Sequence, residues 1–186
     1  MTLQLDTTTR TNMATQLATA IAGGALKVFS GTVPANCAQA DPAGILGSAT
    51  LPNPALTASA GADALTGSWS VTASNGGTIE SFRIYDTSGV CRAQGSVGWT
   101  AQQGTWSGGV YAVGNTVGNG ANVYRLTTAG TGSATSPPSG TTTYTDSAGY
   151  VWLYLGPIGD LNVDNTSIST GQVLTLSAFT YTMAGA

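Results

Sequence analysis

The sequence predicts a mainly β protein: an antiparallel, jelly-roll-like β-sandwich with one N-terminal helix and an inserted small three-stranded β domain. Three observations lead there. Apolar residues alternate over short runs, as on half-buried strands. Gly, Asn, Asp and Pro turn signals return about every ten residues. One stretch alone carries helical spacing.

That stretch comes first. Asp6-Thr7-Thr8-Thr9 supplies N-cap oxygens, and Met13, Leu17 and Ile21 recur at i, i+4 and i+8. Gly23-Gly24 stops the pattern, so a helix is expected over 7–22. Ala25 to Ser30 then reads as a strand. Pro34, Pro42 and Pro52 mark 31–53 as loops around a short strand at Ile45 to Leu51. Leu65 to Ala73 reads as a strand ending at the turn signal Asn75-Gly76-Gly77. In Thr78 to Tyr85, Phe82 and Ile84 point one way while Arg83 and Tyr85 point the other. Asp86-Thr87-Ser88-Gly89 closes a hairpin into Val90 to Val97. Ser167 to Met183 reads as a short strand, a turn at Thr170-Gly171 and one long strand. That long strand sets Val173, Thr175, Ser177, Phe179 and Tyr181 on one face and Leu174, Leu176 and Ala178 on the other. Strands this apolar on one face need a second sheet or the helix to cover them.

Between Gly98 and Gly156 the texture changes. Trp99, Trp106 and Trp152 with Tyr111, Tyr124, Tyr144, Tyr150 and Tyr154 place most of the aromatics there, which implies a small core of its own. Val110 to Val117, the turn Gly118-Asn119-Gly120 and Ala121 to Leu126 read as a tight hairpin. A third strand, Gly149 to Leu155, follows a long Gly/Pro/Thr-rich loop. The expected organisation is a core domain of residues 1–98 with 157–186, interrupted by a module of residues 99–156.

Composition narrows the function. The chain has no histidine, five Lys+Arg and eight Asp+Glu, for a net charge of −3. Its acids, Asp6, Asp41, Asp63, Glu80, Asp86, Asp146, Asp160 and Asp164, are scattered singly, whereas general acid/base work needs convergent titratable groups. A Ser-His-Asp triad is impossible. No enzymatic activity and no cofactor are expected. The cations Arg10, Lys27, Arg83, Arg92 and Arg125 do not cluster, which argues against nucleic acid. The apolar stretch Ala18 to Leu26 is interrupted by Thr19 and Gly23-Gly24, so no membrane span is expected. Met1 to Arg10 is polar, with Asp6 where a signal peptide would be basic, which points to synthesis in a cytoplasm. Asp160, Asp164 and Asn165 read as an Asx-type turn in preference to a calcium site, and no metal is expected. Cys37 and Cys91 have no metal or redox spacing; two small buried hydrophobes is the preferred reading, with pairing in an oxidising medium left open. A surface this poor in charge is prone to associate, so partners are expected to cover much of it.

Two resemblances sharpen this. Trp106, Tyr111-Ala112-Val113-Gly114, Val117, Tyr124-Arg125, Ala129-Gly130-Thr131, Pro137, Asp146 and Val151-Trp152 together resemble a small β module common in tailed-bacteriophage virion proteins. The same residues are similar in texture to small carbohydrate-binding modules. The chain departs from the module's pattern at Asp146-Ser147-Ala148-Gly149, where a tight Asp-Gly turn is usual. The flanks, Leu3 to Arg10, Leu26 to Ala35, Phe82 to Gly89 and Leu161 to Ile168, resemble a family of small phage and prophage structural proteins. The resemblance implies a virion component: a capsid decoration or cement protein on the outer face of an icosahedral head, assembled in the host cytoplasm. Its partners would be the major capsid protein and itself, as a dimer or trimer. Leu3, Leu5 and Arg10 are then the candidate capsid contacts. The alternative is a tail or fibre component whose Trp106, Tyr111, Tyr124 and Trp152 form a stacking platform for host-surface glycan. The competing reading of those four aromatics is a filled core.

Overall fold

The computed structural model describes residues 5–176 and 179–182. Its helix, α1 (Thr7–Ile21), is capped by Asp6, whose carboxylate accepts from the Thr8 and Thr9 N–H groups at 2.9 and 3.1 Å. Gly23, at φ +69°, turns the chain out of the helix. Eight strands follow: β1 (Ala25–Phe29), β2 (Ile45–Thr50), β3 (Leu56–Ser59), β4 (Ala62–Leu65), β5 (Trp69–Ala73), β6 (Gly77–Thr78), β7 (Ser81–Tyr85) and β8 (Cys91–Trp99). Next come β9 (Thr116–Asn119), β10 (Asn122–Thr128), β11 (Tyr144–Thr145) and β12 (Val151–Pro157). The chain closes with β13 (Leu161–Val163), β14 (Ser167–Ile168), β15 (Val173–Leu176) and β16 (Thr180–Thr182). The protein is thus mainly β with one helix among the described residues. It divides into two compact units, residues 1–97 with 161–186 and residues 98–160.

The first unit is built on a seven-stranded sheet in the order β13-β8-β7-β1-β2-β5-β15. Every ladder from β8 to β15 is antiparallel. The end strands β13 and β15 approach one another, so the sheet curls nearly into a barrel. A second sheet, β16-β4-β3, and α1, which packs on β3 and β4, supply the covering layer. Trp69, Val71 and Ala73 of β5 point inward, with Ser70 and Thr72 outward. They join Ile21, Leu26, Val28, Leu56, Phe82, Ile84, Leu174, Leu176 and Phe179 in one continuous core.

Two expected faces come out differently. Met13 is 46 % exposed, and α1 buries Ala14 and Ile21 instead, with Leu17 and Ala18 half-buried. The small Ala14 is fully buried on a helix that packs on β3 and β4. The long C-terminal strand is divided: β15 pairs with β5 in the large sheet, whereas β16 pairs with β4 in the small one. Leu176 and Phe179, three residues apart, are both buried, so the alternation does not run through. Ser177, Ala178 and Met183 lie outside the described residues.

The second unit is a four-stranded antiparallel sheet, β11-β12-β10-β9. A hairpin and a third strand are expected; the structure sets the third strand, β12, beside β10, and the two-residue β11 adds a fourth. The β9–β10 hairpin turns at Gly120-Ala121, between the paired Asn119 and Asn122, with Gly120 at φ +60°. Its first strand starts only at Thr116. Residues 110–115 form a loop that leaves Val110 and Val113 exposed. The outer edge of β9 is covered: Gly118 N–H donates to Gly104 C=O at 2.9 Å, and Trp106 N–H donates to Gly118 C=O at 2.8 Å.

Candidate functional site

In the first unit the chemistry gathers on the outer face of the large sheet. β7 is buried on both faces: Phe82 and Ile84 enter the core, while Ser81, Arg83 and Tyr85 face a covering loop, residues 30–44, that joins β1 to β2. Arg83 is 1 % exposed, and its guanidinium makes five hydrogen bonds. Nε and Nη2 donate to Gln94 Oε1 at 3.1 and 2.9 Å. Nη1 donates to Gln39 C=O at 2.9 Å and to Asp41 Oδ1 at 3.0 Å, and Nη2 also reaches Asn36 C=O at 3.1 Å. Tyr85 donates its hydroxyl to the same Asp41 oxygen. Lys27 Nζ stands 3.3 Å from Asp41 Oδ2 and 4.3 Å from the centre of the Tyr85 ring.

Register places these groups together. Lys27 is the cross-strand partner of Arg83 on β1, and Gln94 its partner on β8. Two like charges side by side on one face would repel, and Asp41 bridges them. Burial pushes the Asp41 carboxyl up, but hydrogen bonds from Tyr85, Arg83 and Lys27 outweigh it and hold the group below the usual carboxylate range. Burial, then the hydrogen bond to the Asp41 carboxylate, drives the Tyr85 phenol well above its ordinary value. Burial opposes charge on Arg83, yet its bonds to Tyr85 and Asp41 raise its affinity for the proton overall. At neutral pH the cluster therefore holds fixed charges and an un-ionised phenol. This arrangement can clamp a loop.

Beside it lies a shallow open cleft of about 300 Å³ lined by Gly23, Lys27, Thr50, Tyr85, Asp86 and Thr87. Its ionised groups already have partners: Lys27 has Asp41, and Asp86 has Arg92 at 2.7 Å. Cys37, in the covering loop, and Cys91, at the start of β8, are both half-buried free thiols; Cys91 Sγ donates to Ala93 C=O at 3.4 Å, with Cys37 as a neighbour. Elsewhere in this unit Asp63 of β4 is 0 % exposed, and neither carboxylate oxygen has a hydrogen-bond partner. Burial alone raises it to about 6.

In the second unit the aromatics form the interior. Trp152 is 0 % exposed, edge-on to Tyr111 at 5.2 Å between ring centres and stacked with Tyr150 at 6.3 Å. The tyrosine hydroxyls reach out of this core to hold the 129–143 loop. Tyr124 donates to Gly140 C=O at 2.8 Å, Tyr150 to Gly132 C=O at 2.6 Å, and Tyr144 lies 2.7 Å from Ser136 Oγ. Asn119 Nδ2 adds a bond to Pro138 C=O at 3.0 Å. These side chains add to two backbone bonds, Thr131 N–H to Ala148 C=O at 2.9 Å and Ala134 N–H to Gly109 C=O at 2.7 Å, in ordering a loop that has no strand of its own.

The expected glycan platform is therefore not assembled on a surface. Tyr124 and Trp152 are fully inside and Tyr111 is nearly so, its hydroxyl accepting from the Ser107 N–H at 3.3 Å. Trp106 is half-buried with an enclosed, unbonded indole N–H. Of the candidate capsid contacts, Leu3 lies outside the described residues and Leu5 is half-buried. Arg10 lies against Gly61, where an added Cβ would stand 2.8 Å from the Arg10 Cβ, and it reaches Thr7 Oγ1 at 3.4 Å. Asn165 closes the expected Asx turn, its Oδ1 accepting from Ser167 N–H at 3.0 Å. Among the described residues no group of three or more potential metal ligands occurs, and no helix is long and apolar enough to cross a membrane.

The Asp41–Arg83 cluster was not anticipated from the sequence. The available signal was a row of polar side chains, Lys27, Arg83 and Tyr85, on strands whose other face is apolar, followed by a Pro-bounded loop carrying a single acid. The fold is that of a two-unit β protein with a loop-clamping polar cluster. Compared with known protein families, with curated proteins and with solved structures, the chain matches none.

Proposed function

We propose that this chain is a capsid decoration protein that binds the outer face of an assembled phage head and stabilises it. One observation carries the reading beyond the sequence resemblance: more than half of the few charges are either buried or held in ion pairs within the protein. Asp63, Arg83 and Asp146 are buried, and Lys27–Asp41 and Asp86–Arg92 are ion pairs. What remains outside is largely Thr, Ser, Asn and Gly, a surface that can lie against another subunit without stranding unpaired charge.

The partner in this reading is the major capsid protein, with self-association as a dimer or trimer adding multivalency. A ligand that binds only the assembled lattice adds its binding free energy to that lattice, so the role requires no catalytic step, cofactor or metal. The burial of Tyr124 and Trp152 weighs against the rival role as a glycan-binding tail component. The test is co-sedimentation of the purified protein with heads that lack it, followed by heating. Saturable binding and a raised head-disruption temperature are expected. Retention on polysaccharide with none on heads overturns the reading.

A further inference from the structure

We propose that Cys37 and Cys91 form a covalent modification site: exposed to a small-molecule disulfide, they join and lock the 30–44 loop onto the β7–β8 hairpin. The inference is independent of the capsid role and stands on placement. The loop has no strand of its own, and polar tethers bring it to the sheet: Asn36 and Gln39 C=O to the Arg83 guanidinium, and Pro34 C=O to Gln94 Nε2. Cys37 sits between the two residues that Arg83 holds. Cys91 is the cross-strand partner of Tyr85, whose hydroxyl is bonded to Asp41 of the same loop. The loop is thus pinned on both sides of Cys37, over the end of β7–β8 where Cys91 starts β8, which makes the two thiols neighbours.

The remaining groups suit a slow, specific closure. Both cysteines are half-buried, so a small reagent reaches them while a protein surface does not. Burial, reinforced by the Cys37 neighbour, pushes the Cys91 thiol up to about 12, which keeps its thiolate fraction small and its reaction slow. With Cys37 as the first nucleophile, closure takes two exchanges. The Cys37 thiolate displaces one thiol from the reagent and leaves a mixed disulfide. Cys91 then loses its proton to water and attacks the Cys37 sulfur, releasing the second thiol. Two S–H bonds break and one S–S bond forms, and the reagent disulfide takes up the two electrons and becomes two thiols.

Incubating the fully reduced protein with oxidised glutathione tests this. The expected product is a monomer lighter by two hydrogens, with no maleimide-reactive thiol after denaturation and with the Cys37 and Cys91 peptides linked in a non-reducing map. Proteolysis within 30–44 should slow several-fold, and dithiothreitol should restore it. Cys37→Ala and Cys91→Ala, each checked for native circular dichroism, should lose that protection. The proposal is overturned if the folded wild-type protein keeps two free thiols, holds glutathione adducts without the cross-link, or links only between chains.

Discussion

Asp86 and Asp146 build the same five-residue turn, one in each unit. Each donates its N–H to the carbonyl four residues on, Val90 or Tyr150, at 3.0 Å, and accepts the N–H of Gly89 or Gly149 at 3.1 Å. Each Oδ1 accepts two further N–H groups, those of Ser88 and Val90 or of Ala148 and Tyr150. Gly89 and Gly149 take φ +79° and +85°, the left-handed position that closes such a hairpin. Asp146-Ser147-Ala148-Gly149 is thus a complete turn in its own right. The second oxygens differ. Asp86 Oδ2 pairs with Arg92, whereas Asp146 Oδ2 is buried and accepts from the Thr135 N–H at 2.9 Å.

Asp146→Ala is therefore expected to cost more than Asp86→Ala, because it strands enclosed N–H groups: roughly 2–4 kcal/mol. Burial raises the Asp146 carboxyl, but hydrogen bonds from Thr135, Tyr150 and Ala148 outweigh it, so its folded value lies below 3.8. Its contribution is present above that value and lost as pH falls through the lowered one. Urea melts of the wild type and both variants at pH 7 and pH 3 check this. The gap between wild type and Asp146→Ala should narrow at the lower pH.

Arg83→Met is expected to destabilise the first unit by about 3–5 kcal/mol, since it leaves Asp41 without its guanidinium and unbonds the Asn36 and Gln39 carbonyls. The urea midpoint should fall at unchanged slope. Limited proteolysis should find new cuts within 30–44 before global unfolding. A stable Arg83→Met protein with an uncut loop would remove the clamp from the account.

What could be read in the sequence was local. Asp6 as N-cap, Gly23 as helix stop and the Asp86 hairpin depend on neighbours a few residues away, and the structure places them as expected. What escaped depends on distant contacts. The β3–β4 hairpin hides in Ala58 to Asp63, where small residues blur the alternation and an inward position carries a carboxylate. Met13 misled because a large apolar residue marks a helix face more loudly than the small Ala14 that makes the contact. The burial of Arg83 is set by carbonyls far along the chain, which no periodicity records.

Asp63 gives a pH dependence of the opposite sign. Burial raises its folded value to about 6, above the ordinary 3.8, so the folded state holds a proton that the unfolded chain releases between those values. Stability from this group is greatest below 3.8 and falls as pH rises through 6. Asp63→Ala should melt higher than wild type at pH 7.5, by roughly 1–3 kcal/mol for removing an unbonded buried carboxylate, and the gain should shrink at pH 4.5. Equal gains at both values would mean that Asp63 does not titrate in the fold.

Ala60, at φ +50°, precedes Gly61, at φ +82°, between the paired Ser59 and Ala62. Two positive angles in a two-residue loop define a turn that favours Asn-Gly and penalises a Cβ-bearing first residue. Ala60→Asn is expected to stabilise by up to about 1 kcal/mol, read as a rise in melting temperature. A fall would mean that the loop relaxes out of that turn in solution.

The inserted unit leaves and returns at one point. A Cβ on Gly98 would lie 2.1 Å from the Gly159 nitrogen, so the two backbones touch there, and the strands that carry the chain in and out, β8 and β13, are neighbours in the large sheet. Adjacent strands are about 4.8 Å apart, a gap that a few residues span. Replacing residues 98–160 with a short Gly/Ser linker should leave the first unit folded. Its remaining tryptophan, Trp69, packed 5.9 Å from Phe179, should report a single cooperative transition near that of the intact protein. Gly98→Ala in the full chain should be destabilising, because the contact with Gly159 has no room for a methyl group. Loss of the Trp69 transition in the linked variant would mean that the first unit depends on the inserted one for its fold.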